Sequence, residues 1–351
     1  MLTCVPYTEA LKSGWDELAL ARGTIYHTTA FRRILADSFG YTPADHAILD
    51  ADGNIAALIP LVIGRNLRLR RAGVSLPFAN HADLCATSED ARNAAFAALP
   101  DIAAAHRLAY LEVRLTEEDG RPAPAAPGWT ANRANYTFRL PLAGGEAQVL
   151  ALSTSGNRNH IRKAVKHDLF AVSFDPGNLE GFYRVYCKRM KELGSPAPAI
   201  RFFESFFRLL PGHATLLTVL DRAGGAVVGG MLLLASPGDN TLYYPYGATL
   251  VEYNSRYLGN FMYWEAVKFA IASGFGHLDL GRSPAGSGTY RYKEQWGARS
   301  VRLAYLTYSP SGVPAGPPDR GRLGPLVELW RAAPAFVTDV AGPRLIGYLL
   351  P

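Results

Sequence analysis

The amino-acid sequence predicts an α/β (α+β) protein made of two copies of one unit. Three pairs of landmarks recur in the same order, each pair about 170 residues apart. The pairs are Leu49-Asp50 with Leu220-Asp221, Pro77-Phe78 with Pro245-Tyr246, and Leu111-Glu112 with Leu278-Asp279. The chain has 351 residues, of which 48% are hydrophobic, so it is too long for one typical core and can fill two.

Hydrophobic periodicity gives the two copies the same order of elements. In the first copy it predicts helices at 8–22 and 28–39, a hairpin over 47–63, a strand at 74–78, a helix at 91–106 and a strand at 108–115. In the second copy it predicts helices at 178–193 and 200–210 and strands at 215–221 and 226–235 joined by a turn. A cleft between two similar halves is a natural place for a ligand.

Composition limits the classes of function. The formal net charge of +6 favours an anionic partner, which can be nucleic acid, a phosphorylated substrate or an anionic membrane face. Three scattered cysteines argue against a disulfide framework and against a metal site, and they fit a reducing cytoplasm. The N-terminus lacks the pattern of a secretion signal, and no run of about 18 apolar residues predicts a membrane span.

A basic cluster separates the two copies. On a helix that begins near Asn157, the side chains of Arg158, Arg162 and Lys166 lie on one face, with Lys163 beside them. Such a face suits a phosphate or diphosphate, because the N-terminus of the helix adds its dipole and free N–H groups. The alternative is a solvated basic face that covers apolar surface.

The segment 278–298 is the second candidate site. A short strand ends at Gly281, and the residues after it combine glycines with the cations Arg282 and Lys293 and with aromatic rings such as Tyr292. A loop at the carboxyl end of a strand is where open α/β sheets place their ligands. The alternative is an ordinary surface turn between two strands.

Four stretches of the chain resemble the FemAB family of peptidoglycan-bridge aminoacyltransferases and their relatives. They are SGNRNHIRKAVK at 155–166, the segment 182–203, YPYG at 244–247 and LDLGRSPAGSGTYRYKEQWGA at 278–298. The resemblance covers roughly residues 25–308. It implies two fused domains of the GNAT N-acyltransferase fold, each a mixed, largely antiparallel sheet flanked by helices. We expect these domains at 1–145 and 146–311, followed by a Pro/Gly linker and short amphipathic tail at 312–351.

The activity implied by this resemblance is an N-acyl transfer. A primary amine of the acceptor attacks the ester of an aminoacyl-tRNA or the thioester of an acyl-coenzyme A, with no metal and no tightly bound cofactor. By its place in the last motif, Lys293 is expected to contact acceptor phosphate or the oxyanion. Arg158 and Arg162, with Lys163, are the expected phosphate ligands. Tyr246 and Arg282 are expected to position the substrate, with Tyr292 lining its site.

Three departures from the family pattern change these expectations. The segment 215–296 leaves no room for the long coiled coil that engages tRNA in the best-known members, which weakens aminoacyl-tRNA as the donor. The segment from Arg256 to Phe261 lies where a coenzyme A pyrophosphate loop belongs, but the bulky Phe261 is expected to crowd the phosphate. A first-domain loop departs from the sequence that is usual in the family. Asn80 and His81 of this loop are the candidate acceptor contacts.

The tail gives short amphipathic segments after the linker. They can dock on the domains or lie on a membrane surface. The tail is similar to that of a FemAB subgroup associated with exosortase/PEP-CTERM and exopolysaccharide gene clusters, which implies a lipid-linked acceptor and peripheral contact with the inner membrane.

The sequence therefore predicts a cytoplasmic FemAB-like N-acyltransferase that modifies an amine on a phosphate-bearing cell-envelope or exopolysaccharide precursor. Two alternatives remain at this stage. One is an acetyl-CoA-dependent GNAT N-acetyltransferase. The other is a basic binding module for RNA or anionic lipid that has kept the fold without catalysis.

Overall fold

The computed structural model describes residues 1–117, 126–311 and 324–350. The first half, up to residue 141, contains three helices and eight strands within those ranges. They are β1 (Thr3–Pro6), α1 (Lys12–Arg22), α2 (Thr29–Phe39), β2 (Thr42–Pro43), β3 (His46–Leu49), β4 (Ile55–Ile59), β5 (Val62–Arg65), β6 (Arg71–Val74), α3 (Glu89–Ala105), β7 (Tyr110–Glu117) and β8 (Trp129–Pro141).

The second half repeats the alternation of helices with an antiparallel meander. Its elements are α4 (Gly145–Leu152), α5 (Ser155–Lys166), β9 (Phe170–Ser173), α6 (Leu179–Glu192), α7 (Ile200–Leu209), β10 (Ala214–Asp221), β11 (Val227–Ser236), β12 (Thr241–Thr249), α8 (Leu258–Ala272), β13 (His277–Asp279), β14 (Ser283–Pro284), α9 (Gly288–Glu294) and β15 (Arg299–Tyr308). Two further helices, α10 (Gly324–Ala332) and α11 (Ala335–Leu349), form the tail.

Most of the strands join in one long mixed sheet. Its order is β2-β5-β6-β7-β15-β8-β13-β12-β11-β10-β9, with β14 paired to β8, while β1, β3 and β4 form a separate three-stranded sheet. The predicted mixed, helix-flanked α/β fold is confirmed. Each half also has one parallel pair joined through a helix, because β6 pairs with β7 across α3 and β12 pairs with β13 across α8.

The two halves exchange their last strands. β8 closes the first half in sequence, yet its residues Arg139 to Pro141 pair with β13 of the second half. β15 closes the second half, yet it pairs along its length with β7 on one side and β8 on the other. The sheet is therefore continuous across the predicted domain boundary, which lies at the start of α4 and stays a prediction.

A second feature of the sheet is that β12 and β13 separate after three residues of pairing. Thr241 to Tyr243 face His277 to Asp279 in register, but β12 continues to Thr249 while β13 ends. Among the described strands, none pairs with β12 on that side beyond Tyr243. The result is a wedge-shaped opening in the sheet at the carboxyl end of β13.

Aromatic packing joins the halves. Phe39 of α2 stacks on Phe78 at 4.1 Å between ring centroids, and both rings contact Phe202 of α7. Tyr246 of β12 packs edge-on against the same Phe202. These side chains belong to one buried cluster that draws residues from both halves, so the burial of apolar surface holds the halves together.

Most predicted helices and strands are present, with four differences. The return strand of the first hairpin breaks at Pro60 into β4 and β5, which lie in different sheets. The strand predicted at 74–78 ends at Val74, because Leu76 and Phe78 take left-handed φ angles. The segment after Gly281, expected to be a loop, contains the helix α9, which Ser287 caps by accepting the N–H of Tyr290. Strands β1, β2, β8, β9, β14 and β15 and the helix α4 were not predicted.

The tail docks on both halves, because α11 packs on β5 of the first half and both α10 and α11 pack on α6 of the second. The Tyr41 hydroxyl donates to the carbonyl of Gly347 at 2.7 Å, and Ile346 and Leu350 are buried. The face of the tail turned away from these contacts is exposed. The predicted linker falls mainly on residues 312–323, which lie outside the described residues. No helix in the described ranges is long and apolar enough to cross a membrane.

Candidate active site

The site centres on Asp279 at the end of β13, where the sheet opens. Its side chain is 1% exposed, and both carboxylate oxygens accept from the Thr137 hydroxyl of β8 at 2.8 Å. The N–H of Gly281 donates to the same carboxylate at 2.7 Å. His81, from the first half, places Nε2 3.6 Å from the Asp279 carboxylate. Burial would raise the pKa of Asp279, but these contacts outweigh it and lower the pKa, which favours the ionised form.

Lys293 lies beside this carboxylate on α9. Its Nζ donates to the carbonyls of Gly281 at 2.8 Å and Arg282 at 3.1 Å, and the side chain is buried. Burial lowers the pKa of Lys293 to about 8, with the neighbouring Arg282 adding to the effect and Asp279 opposing it. The ammonium is thus charged at neutral pH and close to its titration.

Two arginines flank the ring of Tyr305, which belongs to β15. Arg282 donates to the Tyr305 hydroxyl at 3.1 Å, and that hydroxyl donates to the carbonyl of Asn80. Arg114 lies 5.1 Å from the centre of the Tyr305 ring and pairs with Glu112 at 2.9 Å. In the described part of the chain, no carboxylate forms an ion pair with Arg282.

Arg114 also connects the site to the tail. Its guanidinium donates to the carbonyl of Ala79 at 3.2 Å and to that of Leu350 at 2.7 Å. Both Arg114 and Glu112 are buried. The buried cations Arg114 and Lys293 are thus matched by the two buried carboxylates of Glu112 and Asp279, and the half-buried Arg282 adds a positive charge where the halves meet.

Tyr246 packs beside this cluster and holds one of its loops in place. Its hydroxyl donates to the carbonyl of Phe78 at 2.7 Å, and burial raises its pKa well above the ordinary value. The contact fixes the first-half loop that carries Asn80 and His81. Asn80 reaches the turn at Gly281, since its amide nitrogen would lie 3.4 Å from a methyl group added there.

The basic helix α5 lies elsewhere, beside the N-terminus of α8. The amide of Asn260 donates to the Asn157 side chain at 2.7 Å, His160 stacks on Tyr257 at 4.7 Å, and the Nζ of Lys163 lies 5.7 Å from the Tyr257 ring. Arg162 is exposed on this helix. Arg158 is half-buried and donates to the carbonyls of Leu150 and Ser153. It thus satisfies the end of α4 instead of projecting toward solvent.

The N-terminus of α8 is the second feature of this region. Tyr257 takes a left-handed conformation before it, and no side chain in the described ranges caps the first turn. Phe261 is buried against Phe170 and points into the core, so the expected crowding of a phosphate by this ring was wrong. Tyr292 of α9 brings its hydroxyl to within 3.4 Å of where a methyl group on Gly259 would lie. This hydroxyl is buried and has no hydrogen-bond partner among the described residues.

The predicted site residues thus form two groups on either side of α9. Asn80, His81, Tyr246, Arg282 and Lys293 meet at the junction of the halves. Tyr292 and Lys163 lie toward the start of α8, whereas Arg162 is exposed on α5. Thr137 and Tyr305 also belong to the junction but were not predicted, because they lie on the two strands whose exchange the sequence does not indicate. Within the described ranges, no three His, Cys, Asp or Glu side chains gather as a metal site requires.

Comparisons with known proteins agree with this architecture. Residues 154–294 match the family model described as an acetyltransferase (GNAT) domain. The fold is similar to that of FemX, with a TM-score of 0.65 and 14% identity over 88% of this chain and 97% of that one. It is also similar to a tandem GNAT protein from the clavulanic acid biosynthesis pathway, with a TM-score of 0.56 and 11% identity over 90% and 100% of the two chains.

A third similar structure is L-PGS from Bacillus licheniformis, with a TM-score of 0.52 and 13% identity over 90% of this chain and 96% of that one. No curated protein sequence matches the chain. The family match and the fold define the class of this protein, which is an acyltransferase built on the GNAT fold. A GNAT domain implies an acyl-coenzyme A donor, and the identity of the acceptor is a separate question.

The turn at Gly281 gives a sharp test of the junction. Gly281 has φ +77°, and a methyl group there would lie 3.0 Å from the Tyr244 carbonyl and 3.8 Å from Lys293 Nζ. We expect Gly281→Ala to lower kcat/KM about tenfold or more, since displacement of reacting groups by about 1 Å has large effects. Gly286→Ala is the matched control, because it has φ +67° and open space around it. It shares the backbone strain and is expected to keep its activity, and equal losses in both variants would contradict this role for the turn.

Proposed function

We propose that this protein is a FemAB-like N-acyltransferase that transfers an acyl or aminoacyl group to an amine of a phosphate-bearing cell-envelope or exopolysaccharide precursor. The observation that carries the proposal is the positive charge of the half-buried Arg282, which has no carboxylate partner among the described residues and lies beside the buried Lys293. Buried cations need an anionic partner, and phosphate suits the fork of an arginine beside the point charge of a lysine.

The acceptor phosphate is proposed to contact Arg282 and Lys293. Arg282 has only a hydroxyl as its side-chain partner among the described residues, so its remaining N–H groups are available. Asn80 and His81 are the proposed contacts for the rest of the acceptor. Tyr246 acts by holding their loop through the Phe78 carbonyl.

The donor is proposed to bind along the opening between β12 and β13, with its phosphates at the start of α8. There the free N–H groups of the helix, the unpartnered hydroxyl of Tyr292 and the nearby cation of Lys163 favour a negative group. Arg162 is the second proposed phosphate ligand on α5. Arg158 is proposed to act indirectly. Its guanidinium already donates to two carbonyls, and these bonds hold the corner between α4 and α5 in place.

In the proposed reaction, the nitrogen of a neutral amine attacks the acyl carbonyl of the donor. The new C–N bond forms as the C–S bond of a thioester or the C–O bond of an aminoacyl ester breaks, and the leaving group takes up the proton released by the amine. The carbonyl oxygen carries negative charge in the intermediate, and the Lys293 ammonium is close enough to the opening to stabilise it.

An acyl-CoA-dependent N-acetyltransferase is the second candidate. The burial of Phe261 favours it, since the start of α8 is left free for a pyrophosphate. Aminoacyl-tRNA remains the alternative donor on the strength of the FemAB resemblance.

A lipid-linked acceptor would agree with the tail. The large apolar side chains exposed on α10 and α11 are Leu326, Leu329, Phe336, Val337, Val340, Leu345 and Tyr348. We propose that the enzyme acts in the cytoplasm in peripheral contact with the inner membrane, as in the PEP-CTERM/exosortase-associated subgroup that the tail resembles.

The test is mass spectrometry of the small molecules and RNA that purify with the protein, compared with the Lys293→Ala variant. We expect a diphosphate-linked sugar or lipid with the wild type and its loss from the variant. Recovery of coenzyme A would identify the donor as acyl-CoA, and recovery of RNA would favour aminoacyl-tRNA. A phosphate-free acceptor that is acylated equally by both proteins would contradict the proposal.

A further inference from the structure

A groove outside the catalytic region is lined by four arginines. It has a volume of about 840 Å³ and lies between the end of α2, the β5–β6 hairpin and α11. The arginines are Arg65, Arg71, Arg201 and Arg344. Within the described part of the chain, none of them forms an ion pair. Asp37 also lines the groove, but it lies within ion-pair distance of Arg33 and Arg208 outside it.

The first indication of an anion-binding surface is the pairing of like charges. Arg65 of β5 stands directly opposite Arg71 of β6 in the antiparallel register. Like charges in directly opposed positions destabilise a strand pair. The repulsion would be relieved by an anion bound between them.

The second sign is a buried hydroxyl. Ser38 is 8% exposed and lines the groove, and its Oγ has no hydrogen-bond partner among the described residues. Arg201 donates to the carbonyl of the same serine at 3.4 Å. A hydroxyl donor beside guanidinium groups is a suitable contact for a phosphate oxygen.

The exposed residues at the tip of the hairpin indicate which kind of anionic molecule fits this surface. Between Arg65 and Arg71, the chain alternates two more arginines, Arg68 and Arg70, with two exposed leucines. Leu69 is 61% exposed and has φ +59°, so the turn presents an apolar side chain to solvent, and Leu67 is exposed beside it. Leu345 and Tyr348 of α11 are exposed next to the same groove.

Arginines interleaved with exposed apolar side chains match the interface of an anionic bilayer. The apolar groups enter the boundary of the acyl chains, while the guanidinium groups stay at the level of the phosphates. A soluble anion would account for the arginines but not for the exposed leucines. The surface formed by the groove and the 65–71 hairpin is called here the arginine surface.

We propose that the arginine surface binds the phosphate groups of anionic phospholipids and docks the protein on a bilayer. It deepens the proposed function, on which it rests, because it would hold the enzyme at the membrane that carries a lipid-linked acceptor. Binding to vesicles needs neither donor nor turnover, so this inference and the proposed reaction can fail separately.

The test is co-sedimentation of the full chain with vesicles of phosphatidylglycerol and phosphatidylcholine, at low and high salt. Each arginine near an anionic surface adds to the free energy of binding. The double variant Arg65→Gln/Arg71→Gln is therefore expected to weaken partitioning of the protein onto the vesicles roughly thirtyfold. Binding of the wild type should also fall with salt, since the attraction is screened. The matched control, Arg184→Gln/Arg291→Gln, removes the same charge from exposed positions outside the groove and should bind nearly as the wild type does.

A second variant separates lipid from soluble phosphate. Leu67→Ser/Leu69→Ser keeps the charges and is expected to reduce vesicle binding severalfold, because two apolar groups no longer enter the bilayer. Unchanged sedimentation of the arginine variant would overturn the proposal. A second pair of results would also overturn it. If the leucine variant bound vesicles as the wild type does, and pyrophosphate displaced both proteins from the vesicles, the groove would be a site for a soluble anion. The melting temperature of each variant establishes that it is folded.

Discussion

Replacing Lys293 by alanine is expected to lower kcat/KM by about two to three orders of magnitude, the effect of removing one donor that stabilises developing charge. The ammonium is buried and held by the carbonyls of Gly281 and Arg282, so its position at the opening of the sheet is fixed. The measurement is the rate of acyl transfer with the donor and acceptor that purify with the protein. Arg291→Ala on the same helix is the control, because that side chain is exposed and donates to Gly286.

The pH dependence of acceptor binding gives this prediction a second readout. Because the pKa of Lys293 is lowered to about 8, the ammonium is charged at pH 7 and loses its charge as the pH rises through about 8. Binding of the acceptor phosphate should weaken over that range in the wild type. Lys293→Arg keeps a positive charge at every accessible pH, so the weakening should disappear. A wild type that binds equally at pH 7 and pH 9 would contradict the role of Lys293 as a phosphate ligand.

Replacing Asp279 by alanine is expected to lower the free energy of unfolding by about 3–5 kcal/mol, the range found when one partner of a buried charged pair is removed. The change orphans the Thr137 hydroxyl and the Gly281 N–H and leaves Lys293 and His81 without their neighbouring negative charge. Denaturation by urea of the wild type and the variant measures the difference.

Two comparisons test this explanation. Thr137→Val removes a single donor and should cost about 1 kcal/mol. Because folding lowers the pKa of Asp279, its ionised form contributes stability above the ordinary carboxyl pKa, and that contribution is lost as the pH falls through the folded-state pKa. The wild type and Asp279→Ala should therefore converge in stability at acid pH. A constant difference down to that range would show that packing, and not charge, accounts for the loss.

The chain of local signals predicted much of this site. The amphipathic pattern of 155–166 gave the basic helix, which the structure contains as α5 with Thr154 as its cap. The glycine, cation and aromatic pattern after β13, together with the FemAB resemblance, pointed to Lys293 and Arg282, whose functional roles stay predictions. These features could be predicted because each depends on residues that are close together in the sequence.

The remaining features depend on contacts that no local pattern contains. β8 exposes most of its first half and shows no regular alternation, so neither the strand nor Thr137 was predicted. The partner of Arg158 is the carbonyl end of α4, and that contact depends on the angle at which α5 follows it. The arginine surface depends on the register that sets Arg65 against Arg71 and on the docking of α11 beside it.

The exchange of β8 and β15 has a consequence for synthesis on the ribosome. β15 pairs with β7 and β8, and β13 pairs with the other edge of β8, so three strand edges of the first half stay unpaired until the second half has left the exit tunnel. A nascent chain therefore cannot complete its N-terminal half early, as a string of independent domains would. The two halves are interlocked through these strands, so neither half is expected to fold completely when it is deleted from the other or transplanted alone.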